Sequence, residues 1–124
     1  MLIGSNGERY DLTLTQGDTF LASGVVTLPN GTPFNLTGST LYAEIKRNTK
    51  TTVISAVLTI GIVDASNGKY SLTISRGATA ALECGENKSD PKSRYAWGLK
   101  LTEPDGRQST LAKGEVFVER KSVI

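Results

Sequence analysis

The sequence predicts an all-β domain, most simply a two-sheet sandwich of about seven or eight short strands. Three observations lead there. Apolar and polar residues alternate with a period of two through most of the chain. Turn residues punctuate that alternation at spacings of roughly 8 to 15 residues. One stretch alone, "SRGATAALECG", breaks the pattern in favour of a helical turn. A small β-barrel or a jelly roll is the alternative arrangement of the same strands.

Taken in order, Tyr10, Leu12 and Leu14 alternate with Asp11, Thr13 and Thr15. Phe20, Ala22, Gly24, Val26 and Leu28 share one side of the next run, and "PNGTP" then supplies a tight turn through Asn30-Gly31. Leu41, Ala43 and Ile45 alternate with Tyr42, Glu44 and Lys46. "TTVISAVLTI" reads as one strand with Ile54, Ala56, Leu58 and Ile60 on one side. "DASNGKY" turns into Tyr70, Leu72 and Ile74, and Ser75 is placed to cap a short helix that ends by Gly85. Tyr95, Trp97, Leu99 and Leu101 make the clearest strand, and "EPDG" is a turn. In the last run, about 111 to 119, Val116 and Val118 oppose Glu115, Phe117 and Glu119. The chain divides into an N-terminal arm over 1–7, one domain over 8–120 and a tail over 121–124.

Between the first two runs stand Gln16, Gly17 and Asp18. Gly17 permits a sharp change of direction, and the Asp18 carboxylate can accept backbone N–H groups across the corner. Both residues are expected to be structural.

With 124 residues there is room for one core. Lysines and arginines number 14 against 12 acids, with no basic run, so no nucleic-acid footprint is visible. One cysteine precludes an intrachain disulfide, and the absence of histidine removes the commonest metal ligand and general base. Cys84 lies between Glu83 and the nearby Glu86, whose charges oppose thiolate formation, so it reads as a filler. The carboxylates fall at strand or turn positions with no calcium-loop spacing, and the glycine loops lack a phosphate-loop lysine. No catalytic residues, cofactor or metal are expected: this is not an enzyme. No apolar stretch reaches the roughly 20 residues that span a bilayer, and no signal peptide is apparent, which points to synthesis in a reducing cytoplasm and no membrane partner. The three Asn-x-Ser/Thr triplets, at Asn30, Asn35 and Asn87, read as chance. Tyr95 and Trp97 alternate with Ala96 and Gly98, which makes them core residues, and Tyr95 occupies the place of a tyrosine corner, its hydroxyl bonding upstream backbone.

Four pieces in order, "LTQGDTF", "GTPFNLTGSTLYAEIKR", "NGKYSLTISRGATAAL" and "RYAWGLKLTEPDGRQSTLAKGEVFVE", carry a resemblance over about residues 9 to 120. The arrangement resembles small immunoglobulin-like proteins and modules of tailed bacteriophages, and is similar to the N-terminal domain of some phage upper baseplate proteins. The resemblance implies an immunoglobulin-like β-sandwich. It also implies a virion structural or docking role, in baseplate, tail, neck or capsid decoration, with other virion proteins as partners and the host bacterial cytoplasm as the site of synthesis. It transfers no catalytic or ligand residue. A homo-oligomer is compatible with such a role, and the competing reading is a carbohydrate-binding module for host-surface attachment. For the contact itself the residues to watch are Leu2 and Ile3 in the arm, and Tyr42 and Phe117, two aromatics at outward parity beside acidic neighbours.

Overall fold

Alternation of this kind buries one face of each strand, so the strands must form layers. The computed structural model describes residues 2–3, 8–28, 31–48, 50–51, 53–85 and 90–120. Its strands are β1 (Leu2–Ile3), β2 (Glu8–Arg9), β3 (Leu12–Thr15), β4 (Phe20–Val25), β5 (Thr40–Lys46), β6 (Ile54–Val57), β7 (Thr59–Asp64), β8 (Lys69–Ile74), β9 (Arg94–Thr102) and β10 (Gln108–Glu119), with one helix, α1 (Arg76–Ala81). Eight of the strands have four residues or more, and the described strands form two separate sheets rather than a closed barrel. One sheet runs β1-β4-β8-β7; the other runs β2-β10-β9-β5-β6, with β3 also on β10.

Between the sheets lies a single core of inward residues, among them Leu12, Leu14, Ile45, Tyr70, Leu72, Ile74, Trp97, Leu99, Val116 and Val118. Local signals behave as the sequence predicts at several points. The Ser75 hydroxyl accepts the Ala78 N–H and starts α1. Gly17 takes φ 81°, turning the chain between β3 and β4. Burial pushes the Tyr70 hydroxyl far above its ordinary pKa, with Tyr10 adding to the shift.

Two expectations need correction. "TTVISAVLTI" is not one strand: β6 belongs to one sheet, Leu58 crosses buried between the layers, and β7 joins the other. A bulge pairs Ala56 with Ile45 but Ile54 with Lys46, so Ile54 turns to the outside face instead of joining Ala56. The arm over 1–7, expected to precede the domain, contributes a strand of its own, β1. Leu2–Ile3 pairs in parallel with Ser23 and Gly24 of β4, covering that sheet edge. The rest of the arm, the tail over 121–124, and Asn30 and Asn87 lie outside the described residues.

Candidate functional site

The outward face of the larger sheet begins with how β9 and β10 are held. Gly114 sits where an added Cβ would collide with the Tyr10 carbonyl oxygen, so only glycine lets the N-terminal strands approach β10. That carbonyl turns out of the ladder and accepts the Trp97 indole N–H at 2.7 Å. The vacated ladder position is filled by a side chain: the Glu115 N–H donates to Asp11 Oδ1 at 2.9 Å. Trp97, 4% exposed, is therefore both core and clamp. Tyr95 is also buried, and its hydroxyl donates to the Glu83 carbonyl at 3.1 Å, upstream of β9. The Arg47 guanidinium lies 4.5 Å over its ring.

The corner residues are likewise structural in their surroundings. The Gly17 N–H donates to Thr79 Oγ1 at 3.1 Å, and the Thr79 hydroxyl donates to the Asp18 carbonyl at 2.8 Å. Gln16 reaches the Leu82 carbonyl at 2.7 Å. Asp18 is exposed, and its main-chain carbonyl joins this latch. Thr79, fully buried on α1, was missed; a lone threonine in an alanine-rich turn gives little signal. Half-buried Cys84 donates to the Val118 carbonyl at 3.1 Å, in keeping with a filler.

Register then fixes what the outward face presents. Across the sheet, Lys46, Ala96 and Glu115 form one row, Glu44, Gly98 and Lys113 the next, and Tyr42, Lys100 and Thr110 a third. The small residues Ala96 and Gly98 leave a trough along β9. Two shallow hollows, of about 270 Å³ and about 400 Å³, meet at Ala96. Six cationic residues and two glutamates line them, against 14 and 12 in the nearly balanced chain. On one bank Tyr42, 41% exposed, donates to Glu44 at 2.9 Å, and Lys46 bridges Glu44 at 3.1 Å. Partial burial pulls the Glu44 carboxyl upward, but the Tyr42 and Lys46 hydrogen bonds and the Lys46 and Lys100 charges outweigh it and hold the carboxyl below its ordinary pKa. The bond to Glu44 raises the Tyr42 hydroxyl.

Phe117 is on the same face, half-buried, with the Arg94 guanidinium 5.7 Å from its ring centre. It pairs with Arg94 while Tyr42 pairs with Lys100, so the two aromatics stand six residues apart along β9, roughly 20 Å. The structure does not bring them together. Missed altogether was a second surface, where β6 and β7 end their sheets. Val53 (70% exposed), Ile54, Val57, Ile62 and Val63 (68%) are exposed aliphatics on or beside these two edge strands. From Thr51 to Val63 the sequence holds no charged residue.

Among the described residues, no group of three His, Cys, Asp or Glu could hold a metal ion, and no helix is long and apolar enough to cross a membrane. No family model and no curated protein matches the chain. Among solved structures, a chain from the crystal structure of ICOS in complex with ICOS-L and an anti-ICOS-L VNAR domain is similar, with a TM-score of 0.51 and 9% identity. The likeness covers 91% of this chain and 56% of that one. It shows the fold: an all-β, immunoglobulin-like sandwich.

Proposed function

We propose that this chain is a non-catalytic docking component of a tailed-bacteriophage particle, acting through contacts with other particle proteins. The observation that carries the docking half is the set of exposed aliphatics on or beside the two edge strands, Val53, Ile54, Val57, Ile62 and Val63, in a stretch of sequence without charge. Sheet edges of soluble domains are ordinarily guarded by charge, proline or a covering segment, because unpaired strands invite other strands. An apolar edge of this kind marks a surface that is covered in use. The phage half rests on the four sequence pieces that resemble immunoglobulin-like modules of tailed phages.

The test is capture of purified baseplate, tail and capsid proteins by the immobilised chain, run beside a glycan array. Capture that is lost in a Val53→Ser, Val57→Ser, Val63→Ser triple variant supports the reading. Glycan binding without protein capture refutes it in favour of a carbohydrate-binding module.

A further inference from the structure

In the middle of the best-formed strand stands a residue that the fold itself does not require. Glycine inside a strand weakens it, and usually marks a special dihedral or a close approach. Gly98 has no positive φ, and an added Cβ there would meet nothing nearer than the Ala112 carbonyl at 4.0 Å. Gly114, one strand away, is explained by the Tyr10 carbonyl; among the described residues nothing approaches Gly98 closely enough to explain it. With Ala96 it keeps the outward side of β9 low. A cation stands at each end of that floor, Arg94 and Lys100. On the banks Lys113 faces Gly98 and Lys46 faces Ala96. Among the described residues neither Lys100 nor Lys113 is in an ion pair.

We propose that this trough receives one extended segment of a partner protein, small in its middle and acidic at both ends. The inference deepens the docking reading and rests on it. A strand laid along β9 points every second side chain at the sheet. Side chains at its third and fifth positions then sit over Ala96 and Gly98, and those at its first and seventh reach Arg94 and Lys100. Among the described residues Arg94, Lys100 and Lys113 are the lining cations outside any ion pair, and they supply the charge complementarity. Glu44 and Glu115 on the banks oppose a continuous polyphosphate but are tolerated by a chain whose acids are spaced apart.

The experiment is fluorescence anisotropy on the full chain. The probe is a labelled heptapeptide with aspartates at positions one and seven, alanines at three and five, and threonines elsewhere. Binding at 50 mM salt is expected to weaken about tenfold in Lys100→Glu, in the peptide with both aspartates replaced by asparagine, and in Gly98→Val. The last variant is decisive because a Cβ is accommodated at this position and valine favours a strand, so its melting temperature is expected at or above the parent's while binding falls. Three results overturn the inference: no binding of the heptapeptide, equal binding by Gly98→Val, or stronger binding of an oligonucleotide of equal charge. If particle proteins are still captured while the peptide is not, the trough is not the contact and docking runs through the aliphatic side. Capture that survives the triple valine substitution but is lost in Gly98→Val has the opposite meaning: docking runs through the trough and not through the aliphatic side.

Discussion

Replacing Trp97 separates its two jobs, and the structure sets the size of each. The side chain is 4% exposed and its N–H is the partner of the Tyr10 carbonyl at 2.7 Å. Trp97→Ala removes the ring, worth about 3–5 kcal/mol for a large aromatic in a core. It also orphans a carbonyl that has left the strand ladder, which costs about 1–3 kcal/mol more. The sum takes up much of the roughly 5–15 kcal/mol that holds a domain of this size together. Trp97→Phe keeps most of the ring and loses the donor, so about 2–3 kcal/mol is expected. Urea titration followed by far-ultraviolet circular dichroism measures both, since the signal does not depend on the indole. Amide exchange should also quicken from Tyr10 to Thr15 in Trp97→Phe, where the clamp on the parallel strands is gone. A Trp97→Phe variant within about 0.5 kcal/mol of the parent, with unchanged exchange in that segment, would refute the clamp.

Thr79→Val, nearly equal in shape, removes the hydroxyl that accepts from Gly17 and donates to Asp18, and should cost about 1–3 kcal/mol in the same titration; a neutral result would remove the latch from the account. Gly114→Ala should displace β2 and β3 from β10, seen as raised amide exchange over Glu8 to Thr15, because its Cβ has no space beside the Tyr10 carbonyl. Stability should hold up to about pH 10, the ordinary value of a tyrosine, and decline above it. The Tyr70 hydroxyl, raised by burial, stays protonated in the folded chain while the unfolded chain ionises, so proton loss favours unfolding. Melting curves between pH 8 and 11 check this, and Tyr70→Phe should flatten the alkaline decline.

Period-two alternation made most of the architecture legible, because a residue's side of a strand decides its burial directly. The burial of Trp97 and Tyr95 was readable for that reason, and the Ser75 cap because its partner Ala78 is three positions on. What could not be read depends on where another strand arrives. The bulge at Ser55, which turns Ile54 outward, is set by the register of β6 on β5. Asp11 fills a ladder position only because the Tyr10 carbonyl goes to Trp97, 87 residues away. The roles of Gly98 and Gly114 look alike in sequence and differ only through what lies above each. Tyr42 and Phe117 were placed on the correct face, but their separation needed the pairing of β5, β9 and β10.

Quantitative mass spectrometry of purified phage particles, from a lysate in which this chain is expressed, decides whether the chain is a particle component. The chain should be present in the particles at a fixed ratio to a tail, baseplate or capsid protein, with that ratio falling in the Val53→Ser, Val57→Ser, Val63→Ser variant. Particles that are complete and infectious without the chain, while it stays in the soluble fraction, would contradict the docking role.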